Sequence, residues 1–205
     1  MSQTKTRITL LAAVALAAVT AGPTAASAAP ERGTKPKPAS VKGSGDFWLT
    51  FYPDGDRRSF SFDAQAAPYT RPITGFPDGT PADARGKATL VHEVKESGYV
   101  IWAEADVDCM TTSPGYAALT ATITKSSEDP KEWVGRRLGF SVYDAGPDRD
   151  GRTRDRVGFS WAIVNMDKNE QGEWFETKAG TCMAPAPFSP VSKGGFTVRH
   201  ADLPG

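Results

Sequence analysis

Cysteine is scarce in this chain: Cys109 and Cys182 are its only two among 205 residues. Two thiols with no C-x-x-C, and with His92 and His200 not closely spaced to either, do not make a zinc site. Neither sign of charge is in excess, with 24 basic and 24 acidic residues. That balance argues against nucleic acid as a partner, and there is no polybasic face for anionic lipid. No G-x-S-x-G marks a nucleophile, and no metal or cofactor motif is present. Long amphipathic helical stretches are missing too. The apolar run at residues 8–19, broken only by Thr9, is shorter than the roughly 20 residues that span a bilayer.

That run reads as part of an export signal. Lys5 and Arg7 precede it and Ala26-Ser27-Ala28 offers small residues for cleavage. Together they predict a signal peptide over residues 1–28 and a mature chain starting at Ala29. No twin arginine precedes the run, and no cysteine stands at the cleavage point to take a lipid. Leu203-Pro204-Gly205 is followed by no apolar tail or basic end. The expected location is therefore extracellular, as a secreted protein with no membrane contact after cleavage. Loss of Lys5 and Arg7 leaves 22 basic against 24 acidic residues, a net charge near −2. Residues 29–45 hold Lys35, Lys37 and Lys42 among Pro, Ser and Gly, with little to bury, and predict a disordered linker. Residues 46–205 suit one domain. In an oxidising compartment Cys109 and Cys182 are expected to form one disulfide. In the chain-entropy model a loop of that length is worth about 4–5 kcal/mol. Pairing also leaves no free thiolate for catalysis.

The hydrophobic period is two. Phe47, Leu49 and Phe51 alternate with Trp48, Thr50 and Tyr52, and Phe60 and Phe62 with Ser59, Ser61 and Asp63. Leu138, Phe140 and Val142 form a third run; Val157, Phe159, Trp161 and Ile163 form a fourth. Alternate side chains of a strand point to opposite faces, so each run has one buried and one wetter face. Further strands are expected at residues 87–95, 99–110, 117–125 and 196–200, with turns at 53–56 and 95–98. Asp129 is placed to cap one helical turn over residues 129–134. These signals predict an all-β fold, an antiparallel β-sandwich or barrel of about eight strands with one disulfide. Two proline-bearing loops, residues 64–83 and 164–194, are longer than ordinary connections.

Four patterns are candidates for chemistry. Glu104, Asp106 and Asp108 share one strand face, with i, i+2 spacing of about 6–7 Å. Paired carboxylates at that range serve glycoside hydrolysis, but such pairs face each other across a cleft, and cross-strand lysines would make these a solvated ionic face instead. Trp48, Tyr52 and Trp102 fall on wetter faces and would form a stacking platform for sugar rings, unless Trp174, Phe175 or a long loop covers them. Residues 144–156 faintly echo a calcium loop. Asp144, Asp148, Asp150 and Asp155 are matched by Arg149, Arg152, Arg154 and Arg156, which leaves a cation no net charge. His92 shares a face with Ala88, Leu90 and Val94 and reads as structural.

Ser61-Phe62-Asp63-Ala64, Asp106-Val107-Asp108-Cys109, Val134-Gly135, residues 138–144 and residues 155–161 together resemble a group of small secreted actinobacterial proteins, sometimes labelled repetin-like. The likeness covers most of residues 46–196 and lies in strand patterns and the cysteine pair. The resemblance implies a secreted β-rich domain and carries over no catalytic residue. The expected role is non-enzymatic: a binding or cell-envelope-associated module with no cofactor, for an extracellular glycan or protein ligand. The alternatives are a secreted carboxylate-dependent hydrolase acting through Glu104 and Asp106, or a carbohydrate-binding module.

Overall fold

The computed structural model describes residues 37–204, without the side chains of Pro130, Ala162 and Ile163. The expected signal peptide and residues 29–36 of the expected linker lie outside the described residues. Eight strands close into an antiparallel barrel: β1 (Ser40–Phe47), β2 (Arg57–Ala66), β3 (Ala84–Glu93), β4 (Val100–Ser113), β5 (Tyr116–Ser126), β6 (Arg137–Tyr143), β7 (Arg156–Phe159) and β10 (Ser189–Arg199). From β1 to β7 each strand pairs with the next, and β10 pairs with both β7 and β1. Closure leaves a sheet no open edge. One helical turn, α1 (Pro130–Trp133), separates β5 from β6, and Asp129 Oδ1 accepts from the Lys131 N–H as its cap. A short hairpin, β8 (Met166–Lys168) with β9 (Trp174–Glu176), lies between β7 and β10.

The interior is filled by phenylalanine. Phe60 is the hub, with ring centroids 4.6 Å from Phe47, 5.2 Å from Phe140 and 5.3 Å from Phe159. Phe62 continues the stack to Phe140 at 5.4 Å and Phe196 at 5.6 Å. Offset and edge-to-face pairs of this kind add to their burial. The outer face carries charges instead: Lys42 meets Asp63 at 2.6 Å and Lys125 meets Glu104 at 3.0 Å. A membrane-spanning barrel has the reverse pattern, apolar outside and polar within. No helix among the described residues is long and apolar enough to cross a membrane.

Four departures from the sequence reading have physical causes. Residues 40–45, expected as linker, belong to β1, which pairs along its whole length with β2 and β10. Ladder hydrogen bonds order this glycine-rich stretch, together with Val41, whose side chain is fully buried in the core. A Cβ on Gly45 would lie 2.8 Å from Val191 Cγ1 and 3.0 Å from the Phe196 ring, so the neighbours' side chains fill the interior there. The expected run at residues 47–52 ends at Phe47, and residues 48–56 form a connection. The run expected to reach Ile163 leaves the barrel after Phe159 and turns into a 3₁₀ segment, Ala162–Asn165.

The fourth departure concerns Cys109. Plain alternation puts it on the inward face of β4. A bulge between Val107 and Cys109 inserts one residue and reverses the parity. Val107 and Met110 therefore join the core, and Cys109 does not. It bonds Cys182 across 5.3 Å between Cα atoms, in a strap at residues 179–188. The strap lies flush on the barrel wall because the wall is glycine beneath it. A Cβ on Gly139 would stand 1.9 Å from the Met183 carbonyl oxygen, and one on Gly158 2.2 Å from that of Ala186. Arg156 Nε donates to the Pro187 carbonyl at 3.0 Å and holds its far end.

Candidate functional site

One end of the barrel is not filled. Beyond the Phe60 and Phe159 rings, a cavity of about 230 Å³ opens at the mouth. Leu90 and Ala103, on neighbouring strands β3 and β4, form its floor with the two rings; Ile101 extends the wall outward. Leu49 and Phe51 reach it from the 48–56 connection. Trp133 of α1 and Trp161, just after β7, supply an aromatic wall. Their centroids are 4.8 Å apart in an edge-to-face pair. Arg136 lies over both rings, at 5.7 and 5.8 Å, and is tied to Glu176 of β9 at 2.9 Å. The cation–π contacts and the ion pair brace this wall from behind.

Two polar side chains line the cavity, Arg58 and His92. Both continue the inward parity of their strands, Arg58 two residues before Phe60 and His92 two after Leu90. Arg58 donates from both terminal nitrogens to Asp54, at 3.0 and 2.5 Å, and stands 3.5 Å from Asp56. His92 Nε2 meets Asp56 Oδ2 at 2.7 Å. The second Asp56 oxygen accepts the Lys95 N–H at 2.9 Å. The Arg58 hydrogen bonds hold the Asp54 carboxyl down to about 2. Asp56 is lowered as well, first by the Lys95 N–H and then by His92. Asp54, Asp56 and His92 offer ligand atoms within 4.8 Å of one another, a spacing that suits a metal ion. The Arg58 guanidinium already stands against both carboxylates, where such a cation would bind.

This cluster has a consequence for acid stability. The Asp54 carboxyl falls from 3.8 to about 2 on folding. A lowered carboxyl contributes stability above its unfolded value and loses it as pH drops through the folded one. The contribution is therefore complete above about pH 4 and lost between about pH 4 and 2. Asp54→Asn is expected to cost about 1–2 kcal/mol at neutral pH, allowing for solvent screening, and to flatten the acid limb. Urea midpoints measured across that pH range check it; parallel limbs in wild type and variant would contradict it.

The residues singled out from sequence are dispersed. Trp48 and Tyr52 sit on the 48–56 connection, 52% and 64% exposed, while Trp102 borders the cavity on β4 at 39%. No ring–ring contact joins the three among the described residues. The acidic strand divides. Glu104 pairs with Lys125 and Asp106 with Lys87, their cross-strand neighbours. Asp108 is buried at the bulge, 2.5 Å from Arg137, and accepts from Thr120 Oγ1 at 2.5 Å. In the 144–156 loop, Asp144 accepts from the Val198 N–H and Asp155 from those of Ala145 and Phe196. They satisfy β10 where β7 has ended. His200 Nδ1 lies 3.0 Å from Thr112 Oγ1, away from the cavity. Arg58, Asp54 and Asp56 lie outside the candidates that the sequence points to; their signal is a charged residue on the inward parity of a phenylalanine strand. Compared with family models, curated proteins and solved structures, the chain matches none.

Proposed function

We propose that this is a secreted, non-enzymatic binding protein that holds a small apolar molecule in the mouth of its barrel. The observation that carries the reading is the cavity: apolar and aromatic walls, two convergent polar groups and a packed floor. Barrel mouths are a preferred location for such sites, and an eight-stranded barrel is the size that holds one small ligand. A volume near 230 Å³ suits a molecule of about 9–12 non-hydrogen atoms, since about 150 Å³ accepts benzene. A small apolar ligand thus takes the place of the glycan or protein expected from sequence. Secretion is supported by the signal-like leader and by the use of both cysteines in one bond. The likeness to repetin-like secreted proteins agrees with the compartment and names no ligand. The hydrolase alternative has both of its carboxylates, Glu104 and Asp106, beside a lysine, and nothing favours it.

The test uses 4-(dimethylamino)benzonitrile, an uncharged dye small enough for the cavity, whose emission changes on leaving water. The mature protein is expected to bind it at one site. Leu49→Asp places a charge in the cavity from a connection outside the barrel ladder, and is expected to weaken binding by about tenfold or more. Absence of dye binding, or an affinity indifferent to Leu49→Asp, would remove the reading.

A further inference from the structure

The ligand's polar group follows from the charges behind the cavity wall, a step that rests on the binding reading above. Arg58 and His92 are the cavity's only lining residues that can carry charge; the rest are aliphatic or aromatic, with uncharged indole N–H groups on Trp102, Trp133 and Trp161. An arginine at the end of an apolar pocket ordinarily suits a carboxylate. Here the guanidinium is already taken. Asp54 accepts from both of its terminal nitrogens, and Asp56 stands 3.5 Å away. One cation faces two anions, so the three side chains sum to −1. His92 makes the total −1 or 0, whichever form it takes. An entering carboxylate would lose its water and meet no net positive charge.

An ammonium is not favoured by the same arrangement. Asp54 and Asp56 do not line the cavity; the guanidinium and the imidazole stand between them and it. The ionisable surface that the ligand meets is therefore a spent cation and a histidine. His92 commits Nε2 to Asp56. The Asp56 carboxylate keeps the proton on Nε2, so Nδ1 accepts from a hydroxyl in the neutral ring and donates to an uncharged oxygen in the protonated one. We infer that the cavity selects a neutral apolar molecule bearing a hydrogen-bonding oxygen, such as a hydroxyl or carbonyl, over a carboxylate or amine of equal size.

Displacement of the bound dye from the mature protein by 1-octanol, octanoate and octylamine at neutral pH tests this. The three share one chain and differ in head group. Octanol is expected to displace at concentrations about tenfold or more below either ion. Equal or better displacement by octanoate or octylamine overturns the inference and leaves the binding reading intact. Displacement by none of them, with the dye bound, does the same. Asp54→Asn supplies the second arm, because it removes one of the two anions that occupy Arg58 while keeping the side-chain shape. The octanol-to-octanoate preference is expected to fall by about tenfold. This ratio is insensitive to a general loss of affinity, and an unchanged ratio overturns the inference.

Discussion

Reduction of the Cys109–Cys182 bond is expected to lower the melting temperature by roughly 8–20 °C. The bond closes a separation of 73 residues. Chain entropy assigns such a loop about 4–5 kcal/mol, and a domain of this size shifts by about 2–4 °C per kcal/mol. The effect has a definite place in the fold. Cys182 belongs to the strap, not to a barrel strand, and the strap covers the backbones at Gly139 and Gly158. It also covers the Asp108–Thr120 pair, since the Cys182 N–H donates to Thr120 Oγ1 at 3.3 Å. Once the bond is cut, the strap should lose hydrogen-exchange protection well before the barrel does. Calorimetry of reduced protein and of the Cys109→Ala, Cys182→Ala double variant checks the shift, and exchange checks the location. A shift below about 2 °C, or simultaneous loss of protection in barrel and strap, would contradict this account. Thiol titration of the folded, non-reduced protein should find no reactive cysteine.

The alternation of Phe60 and Phe62, of Leu138, Phe140 and Val142, and of Ala103 and Ala105 was enough to specify strands with one buried face. The cross-strand lysines expected beside the acidic face are Lys125 opposite Glu104 and Lys87 opposite Asp106, a register that alternation alone does not contain. Period two reports parity within a strand and nothing about where the strand stops. Leu49 and Phe51 keep the inward parity of Phe47 yet lie beyond the ladder, and they became cavity wall. Trp161 did the same after β7. Leu49, Phe51 and Trp161 are thus cavity residues that sequence placed on the right side of the wrong element. Residues 40–45 failed for the opposite reason. Their glycines carry no hydrophobic signal, and their order comes from pairing with strands at both ends of the chain, a long-range event that no local window contains. The bulge at Asp108 is equally silent, because one inserted residue changes no composition and reverses every side chain beyond it.

The second large effect joins stability to the cavity. Phe60→Ala is expected to cost about 3–5 kcal/mol, the range for removal of a fully packed ring. Phe60 is 5% exposed and touches the Phe47, Phe62, Phe140 and Phe159 rings, which are themselves held by the ladder and cannot collapse inward. Urea unfolding should show a lower midpoint with an unchanged slope. The same ring is also the cavity floor. Its removal joins the mouth to the space among the remaining phenylalanines, so the destabilised variant should accept a larger ligand than the native protein. 1-Dodecanol is expected to gain affinity relative to 1-octanol in Phe60→Ala, measured by displacement of the same dye under conditions where the variant is folded. A large loss of stability with no change in that size preference would mean that the floor and the core are separate compartments, and that the cavity ends above Phe60.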